Sequence, residues 1–596
     1  MSKLVADRDF LMLKGGFQSR QTRRALLSRA VMAGAAAPAV AALLAACGSG
    51  AGSPAAATTT SSTSASSGST AGAASPSAST SAAATPTGSP QAGASGAVKI
   101  GGTINIPIAS SPTSWDLLTS DWPTWTVLHF LYDRLLTSDE NEKILPMLAT
   151  AWEVSADGLT YTLKLRNDVK FHDGSQFTAD SVKFNIQRFL AKTDSAFYQA
   201  FQPVSTVDVI DDYTVKLTLS SIQVTFLYTL AGWGTIQINP AIYQKLGNNY
   251  PSQPTGTGPF KFKAYVPDSY ADFVRNENYW GSPPPVDGIH IKVIPQPNVE
   301  VDSLQAKSID WLGVQPQDAA TVKKMGVTVT TSNEPGVTFL SLNVTQAPTT
   351  ELPVRQAIAR ALDRQQIINK VLYGYAVPAR GGASPGSPYF FNDVPTIDYD
   401  PTGAGKILDD AGWKMGSDGI RARAGTKLSL SILSTSLGDF QLLNQIVQQQ
   451  LKAIGIDSKI TSLEWGTYLS TWRENKGGWN ATVGSQGSLF RSTSVIEASW
   501  APDNFWNICQ IAKSTDPQMK QLSQQLLNIE DQINHEPDLA KRQALAKQAQ
   551  MLYQNNQLTV WLWHQQGINA VQPYLKDYVL TWHGRIINLT RAWLDK

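Results

Sequence analysis

Residues 145–190 read LPMLATAWEVSADGLTYTLKLRNDVKFHDGSQFTADSVKFNIQRFL, and this stretch predicts a series of strands and turns followed by a helix. Asp157-Gly158 is a tight-turn dipeptide, and the residues after it alternate between apolar and polar as in a half-buried strand. Asp173-Gly174 predicts a second turn. Thr178 can then cap a helix, whose apolar positions recur on one face at Val182, Ile186, Phe189 and Leu190.

The second turn carries His172 and Asp173, two residues that also occur in catalytic sites. A polar turn between a strand and a helix accounts for both residues without any chemistry. We therefore interpret this turn as structural, and we expect the functional site to lie elsewhere in the chain.

The residues of this stretch follow an order that is typical of one protein family. The matching points are Pro146, Leu148-Ala149, Trp152, Asp157-Gly158, Tyr161–Arg166 and Phe171–Gly174. In this order they closely resemble the signature region of the family 5 extracytoplasmic solute-binding proteins, the dipeptide and oligopeptide receptors of ABC importers. The resemblance continues through Thr255–Phe260, Tyr279–Gly281 and Tyr399–Trp413, and it covers nearly all of residues 98–596. It implies a protein that binds and delivers a solute and is not an enzyme.

The family resemblance also implies a domain layout. The expected fold is α/β, the two-lobed periplasmic-binding-protein fold of type II in its large cluster-C form, with an inserted third domain. Lobe I would combine residues 98–144, 255–337 and 568–596. Domain II would be residues 145–254, inserted into lobe I, and lobe III would be residues 338–567. Closure of the lobes about their connecting strands would trap the solute.

Local patterns along the chain predict elements of an α/β protein. We expect a helix around Thr124–Leu136 and a hairpin over Val207–Ser220 that turns at Asp211-Asp212. Residues 428–463 predict a strand–helix–strand unit, with Gly455 ending its helix. In the family's short helix at Leu304–Asp310, Lys307 or Ser308 replaces the usual glycine.

The run Gly256-Thr257-Gly258 resembles a phosphate-binding loop only superficially. It leads into Pro259 and a predicted strand, so no helix N-terminus is available to hold an anion. We interpret these glycines as permitting a sharp crossing of the chain between domains.

The N-terminus predicts export and a lipid anchor. Residues 1–46 are expected to be a signal peptide, with a twin-arginine-like motif at Thr22–Leu27, and Leu44–Cys47 matches a bacterial lipobox. Cys47 would receive the lipid, and residues 47–97, rich in Ala, Ser and Thr, would form a disordered tether. The expected location is the extracytoplasmic face of the cell membrane. The pattern leaves the choice between Sec and Tat export open.

Composition excludes several other classes of protein. The chain has 49 Lys and Arg against 47 Asp and Glu, a net charge of +2 that argues against nucleic-acid binding. Lipidation of Cys47 would leave Cys509 as the other cysteine, so no intrachain disulfide is expected. The expected partners are a solute, the subunits of an ABC permease and the membrane through the lipid anchor. A monomer is expected.

The sequence gives poor support to catalysis. Gly382–Gly386 fits the G-x-S-x-G pattern of serine hydrolases, but Pro385 follows the serine and has no N–H for an oxyanion hole. The six histidines show no metal-ligand spacing, so neither a metal nor a cofactor is expected. Two alternatives stay open: a lipid-anchored extracytoplasmic hydrolase with paired acids distant in sequence, and a chemosensory binder on the same fold.

Aromatic residues provide the candidates for solute binding, because each buries a large area while its polar atom fixes orientation. The family resemblance places Glu464-Trp465 at the pocket and Trp563 and His564 on the strand that returns through the hinge. The remaining aromatic candidates are Trp115, Tyr198 and Trp233.

The stretch from Ala481 to Arg491 departs from the peptide receptors of the family. Those receptors usually carry an aspartate there, which pairs with the α-ammonium group of the peptide. This chain has no acid between Asn480 and Glu497 and offers Gln486, Ser488 and Arg491 instead. Because a buried ammonium needs a partner, we expect a solute other than an ordinary free peptide held by its N-terminus, such as an oligosaccharide or another polar, even anionic, molecule. Asp503 could supply the charge if the alignment is shifted here.

Overall fold

The computed structural model describes residues 97–596 except 121, 140–142, 194, 196–197, 436–439, 488–508 and 581–586. The α-helices of the described residues are α1 Trp122–Leu128, α2 Ala179–Ala191, α3 Tyr198–Phe201, α4 Phe226–Ala231, α5 Pro240–Leu246, α6 Pro297–Gln305, α7 Ala319–Val322, α8 Leu352–Ala361, α9 Arg364–Leu372, α10 Pro401–Asp410, α11 Phe440–Ala453, α12 Trp465–Arg473, α13 Pro517–His535 and α14 Leu539–Asn555. None of the helices in these ranges has both the length and the hydropathy that a bilayer crossing requires.

The strands of the same residues belong to three larger sheets and several short ribbons. They are β1 Thr103–Ile108, β2 Leu136–Ser138, β3 Ile144–Pro146, β4 Ala149–Val154, β5 Thr160–Leu165, β6 Val204–Asp211, β7 Thr214–Leu219, β8 Phe260–Val266, β9 Tyr270–Arg275, β10 Gly288–Val293, β11 Trp311–Val314, β12 Thr328–Asn333, β13 Gly336–Leu342, β14 Ala376–Pro378, β15 Lys414–Met415, β16 Arg421–Arg423, β17 Thr426–Lys427, β18 Ser429–Thr435, β19 Asp457–Leu463, β20 Ala481–Gly487, β21 Thr559–Val571, β22 Leu575–Lys576, β23 Val579–Leu580, β24 Ile587–Asn588 and β25 Trp593–Leu594.

The signature sheet is antiparallel and has the order β4-β5-β7-β6. Its strands β4 and β5 flank the turn at Asp157-Gly158, and β6 and β7 form the hairpin expected over residues 207–220. Helix α2 covers the sheet and begins with a capping box between Thr178 and Ser181. Its buried side chains include Val182, Ile186 and Phe189. These local predictions are confirmed. They could be made from the sequence because each depends on contacts between sequence neighbours.

The N-terminal sheet has the order β1-β10-β9-β8, with β1 parallel to β10. The helix expected over residues 124–136 was predicted too long, since α1 ends at Leu128. Beyond it, the Phe130 carbonyl accepts a hydrogen bond from the Phe260 N–H, and the Leu131 carbonyl accepts one from Gly258. This pairing with a distant segment competes with the helix and ends it.

Gly258 and Lys307 occupy positions that favour glycine, for two different reasons. A Cβ on Gly258 would lie 2.5 Å from the carbonyl carbon of Leu131, so the glycine run lets two backbone segments approach one another. In the short segment after α6, Lys307 has a φ of 57° and therefore occupies the left-handed position that glycine usually fills.

The large sheet has the order β11-β21-β13-β20-β18-β19, and β12 and β14 also pair with β21. The predicted strand–helix–strand unit is present as β18, α11 and β19, with the two strands parallel. Both faces of the sheet are covered. Leu340 and Ile432 pack towards α8, α9 and α11, whereas Phe339 and Leu433 pack towards α12, α13 and α14.

Candidate functional site

Three parallel strands of the large sheet end at a common edge. These are β18, β19 and β20, which end at Thr435, Leu463 and Gly487. Gly336, the first residue of β13, pairs with Gly487, and His564 of β21 contacts Gly336. We call the region around Thr435, Leu463, Gly487, Gly336 and His564 the crossover edge. In open α/β sheets, ligands bind beyond the carboxyl ends of the strands, which makes this edge the candidate site.

Strand β21 changes partners beside the crossover edge. Its first part pairs with β13 and β14, and residues 566–571 pair with β11 and β12. The returning chain between β12 and β13 is held to β21, because the Glu334 N–H donates to the Gln565 carbonyl. Two chain segments therefore cross side by side at this point, as in a hinge.

Trp465 is the first residue of α12 and follows the end of β19 directly. The Glu464 carboxylate accepts hydrogen bonds from the N–H groups of Gly466 and Thr467, and this cap fixes the direction of the helix. The Trp465 ring stacks on Tyr468 with a centroid distance of 5.5 Å. Its indole N–H is buried and has no hydrogen-bond partner among the described residues.

Trp563 and His564 lie on β21 where the strand reaches the crossover edge. Trp563 is buried in the core beneath α9 and α11. His564 is completely buried, and its Nδ1–H donates to the Gly336 carbonyl at 2.8 Å. Burial lowers the pKa of His564 to about 4, so the ring is neutral at pH 7. Its Nε2 is then a bare acceptor, with no partner in the described parts of the chain.

The other predicted site residues are placed differently or lie outside the description. Trp115 is only 2% exposed and packs edge-on against Phe262, Tyr265 and Phe273 of the N-terminal sheet. Tyr198 begins the single-turn helix α3 and is half-buried. The backbone of Gln486 pairs with Val337 at the crossover edge. The side chains of Trp233 and Gln486, and all of Ser488, Arg491 and Cys47, lie outside the described residues.

A cavity of about 250 Å³ lies beside the crossing strands, and the sequence patterns did not indicate it. Its walls come from β1, α1, α6, β11, β21, β24 and the turn between β12 and β13. Glu300 and Glu334 line it, and burial raises the pKa of Glu300 to about 7. Because these walls come from segments far apart in the sequence, no local pattern brings the two acids together. Elsewhere in the described ranges, no three His, Cys, Asp or Glu side chains are grouped as metal ligands.

His172 of the signature segment contrasts with His564, since both of its ring nitrogens have partners. The ring donates from Nε2 to the Gly258 carbonyl at 3.0 Å, and Nδ1 accepts from the Gly256 N–H at 3.3 Å. Asp173 accepts a hydrogen bond from the Asn239 amide. The polar turn therefore binds the signature segment to the glycine run, which agrees with its structural interpretation.

The fold and the site together define a class of protein. A large mixed sheet in which β21 and the chain from β12 to β13 cross side by side, accompanied by two four-stranded sheets, has the fold of the type II periplasmic binding proteins. The chain belongs to the bacterial extracellular solute-binding proteins of family 5: that family's profile, described as "family 5 Middle", matches residues 143–505. Proteins of this family are extracytoplasmic binding proteins of transporters and are not enzymes.

Individual relatives agree with this membership. The chain is 30% identical to the glutathione-binding protein GsiB of Pectobacterium atrosepticum over 417 residues, which are 67% of this chain and 78% of that protein. It is 29% identical to GsiB of Escherichia coli over 401 residues, 65% of this chain and 76% of the other.

Solved structures show the same fold. NikA from Brucella suis in complex with Fe(III)-EDTA has a TM-score of 0.74 and 24% identity, covering 83% of this chain and all of that one. AppA from Bacillus subtilis, an oligopeptide-binding protein in complex with a nonapeptide, has a TM-score of 0.66 and 24% identity, covering 84% and 100%.

Proposed function

We propose that this protein captures a peptide-sized polar solute between two lobes and delivers it to the permease subunits of an ABC importer. The crossover edge carries the proposal. Trp465 offers an N–H there and His564 offers a bare ring nitrogen, and both atoms are buried without partners among the described residues. Buried polar atoms are nearly always hydrogen-bonded in folded proteins, and a bound solute would satisfy these two.

The proposed mechanism is closure of lobe I (residues 98–144, 255–337 and 568–596) onto lobe III (residues 338–567) about the crossing strands. Domain II, residues 145–254, would move with lobe I. The solute stabilises the closed form because it contacts both lobes only there, and the permease recognises that form. Small-angle scattering tests the closure: the radius of gyration should fall on addition of a verified solute, and an unchanged value would contradict it.

The proposed location is the outer face of the cell membrane. Residues 1–46 would direct export through the Tat or Sec route, and Cys47 would carry the lipid, with residues 47–97 as the tether. Mass spectrometry of the mature N-terminal peptide tests the anchor. A lipid-modified Cys47 is expected. In a Cys47→Ala variant the protein should leave the membrane fraction.

The proposed solute is not an ordinary free peptide held by its α-ammonium group at residues 481–491, since that stretch contains no acid. The related proteins differ in what their names and complexes state: glutathione, a nonapeptide and Fe(III)-EDTA. Native mass spectrometry of the purified protein should reveal a co-purified solute for identification. Calorimetry with di- to pentapeptides then tests the proposal, and sub-micromolar binding that requires a free N-terminal amine would contradict it.

A further inference from the structure

The cavity beside the crossing strands is small for a whole ligand and has room for one branch of a solute. Its volume of about 250 Å³ is below the range of about 300–1,000 Å³ that is usual for whole ligands. Glu334 lies two residues before Gly336 and Gln565 directly follows His564, so the wall of the cavity adjoins the crossover edge. This proximity would let a solute bound at that edge extend one branch into the cavity.

Among the described residues of the cavity wall, the charged side chains have one sign. Glu300 and Glu334 line the cavity together with the neutral amides of Gln315, Gln565 and Gln566, and none of the described residues in its wall is Lys, Arg or His. The rest of the wall is mainly apolar and includes Ile106, Phe130, Val314 and Ile568. A carboxylate in such surroundings is costly unless a cation compensates it.

Glu300 lacks that compensation in the part of the chain that the structure describes. It makes no hydrogen bond through its carboxylate and no ion pair there, although it is partly buried. Glu351, another partly buried acid, shows the usual arrangement, since Arg423 contacts it at 2.6 Å. Glu300 also contributes no cap to α6, whose N-cap is Gln296. Neither pairing nor capping therefore accounts for this carboxylate.

We propose that this cavity is a cation-binding subsite, in which Glu300 accepts hydrogen bonds from an ammonium or guanidinium group at the end of an aliphatic chain of the solute. Because it names the chemical class of the solute, this inference rests on the proposed function. The subsite would supply from lobe I the negative charge that residues 481–491 lack. The expected solute then carries a basic group and is not a neutral oligosaccharide. The apolar wall packs against the aliphatic chain while the charges pair.

Binding of the cation is linked to protonation of Glu300. Burial raises the pKa of Glu300 to about 7, and a protonated carboxyl carries no charge to pair with the cation. Binding should therefore strengthen as the pH rises through 7 and weaken below it. Glu334 is the other titratable residue among the described residues of the wall, and those of β1, α1, β11, β21 and β24 add none to it.

A matched pair of small probes tests the subsite directly. Propylguanidinium and its neutral analogue propylurea have nearly the same shape, and saturation-transfer NMR at pH 8 measures the binding of each to the intact protein. We expect the cation to bind at least about tenfold more tightly than the urea, the usual gain from one charge-assisted pair. In Glu300→Gln the preference should disappear, because the amide keeps the shape and loses the charge.

The control is Asp302→Asn, which removes an exposed carboxylate from the same helix α6 and changes the net charge equally. This variant should keep the tenfold preference. Thermal unfolding of each variant shows whether it is folded. Glu300→Gln is expected to unfold at nearly the same temperature as the wild type, because in the described part of the chain its carboxylate has no hydrogen bond or ion pair to lose, and there only the helix dipole of α6 favours its charge. A wild-type protein that binds both probes equally, or neither, overturns the subsite, and so does a preference that persists in Glu300→Gln.

Failure of the subsite is distinguishable from failure of the proposed function. The co-purified solute and the closure measured by scattering do not depend on the small probes. Equal binding of the two probes beside normal closure would remove the cation subsite and leave solute capture intact. Loss of closure with every solute would instead remove the proposed function.

Discussion

Two regions of the molecule use the same residue types for different purposes: the junction, where His172 contacts Gly256 and Gly258 and Trp280 contacts Asp133, and the crossover edge around His564. At the junction, His172 has partners on both ring nitrogens, and Trp280 donates its indole N–H to Asp133 at 2.7 Å. At the crossover edge, the Nε2 of His564 and the indole N–H of Trp465 have no partner in the described residues. Paired groups stabilise a fold, whereas buried unpaired groups cost free energy unless a ligand completes them.

An unpaired atom alone does not mark a site. Trp115 and Trp479 also leave their indole N–H groups unpaired, and both are buried inside cores. The crossover edge differs because Trp465 follows the carboxyl end of a parallel strand and Gln565, the residue after His564, lines a cavity. Its position in the sheet topology and its unpaired polar atoms together distinguish the crossover edge from the junction.

The largest expected effect tests whether the junction is rigid. Gly258→Ala should lower the free energy of unfolding by about 3 kcal/mol or more, because the new Cβ would lie 2.5 Å from the backbone of Leu131, where no side chain can move away. Urea unfolding followed by tryptophan fluorescence and circular dichroism measures this change.

The control for the glycine variant is Gly313→Ala in β11. A Cβ there would meet its nearest neighbour, the Trp311 ring, at an ordinary 3.9 Å, so the stability should change by less than about 1 kcal/mol. If Gly258→Ala proved as stable as Gly313→Ala, the junction would be adaptable, and its contrast with the crossover edge would weaken.

The second prediction concerns the pH dependence of stability. Burial lowers the pKa of both His172 and His564 to about 4, whereas an unfolded histidine titrates near 6.5. Between these two pH values the unfolded chain therefore binds more protons than the folded chain. The contribution of the two neutral histidines to stability should be complete above pH 6.5 and should be lost as the pH falls towards 4. His564 alone should contribute about 3 kcal/mol to that loss. His564→Asn, which can keep the hydrogen bond to Gly336, should lose less stability than the wild type over this pH range.

Solute binding should change the pKa of one histidine and not that of the other. A solute that donates to the Nε2 of His564 lowers the pKa of that ring further, because protonation would break the new hydrogen bond. His172 should keep its pKa of about 4, since its nitrogens are already paired at the junction. Titration of labelled histidines by NMR, with and without solute, measures both. Equal shifts of the two pKa values would show that the crossover edge is not the contact.

Part of this comparison could be predicted from the sequence. The cap at Thr178, the buried face of α2 and the unit of β18, α11 and β19 follow from neighbouring residues and the period of apolar positions. The length of α1 could not be predicted, because Gly258 and Phe260 end it from far along the chain. Local patterns describe what a segment prefers; they do not describe which distant backbone competes for its hydrogen bonds.

The candidate site was only partly predictable for the same reason. Trp465 and Trp115 look alike in sequence, since each follows a predicted strand, yet one lies half-buried at the crossover edge and the other is enclosed by Phe262, Tyr265 and Phe273. Glu300 carried no signal at all, since its neighbours in the cavity wall come from β1, α1 and β21. The sheet order, which no local pattern contains, places these residues.

The smallest expected effects come from two tryptophan substitutions, of which one should lower stability and the other should lower solute affinity. Trp280→Phe removes the donor to the buried carboxylate of Asp133, so it should lower the free energy of unfolding by about 2 kcal/mol and leave solute affinity unchanged. Trp465→Phe removes an N–H that has no partner in the described structure, so stability should change by less than about 0.5 kcal/mol. Its solute affinity should fall about fivefold, the loss of roughly one hydrogen bond. Calorimetry with the co-purified solute and urea unfolding of both variants measure the four values. If Trp465→Phe instead lost stability and kept its solute affinity, the indole of Trp465 would stabilise the fold, as that of Trp280 does at the junction. The contrast between the two regions would then depend on His564 alone.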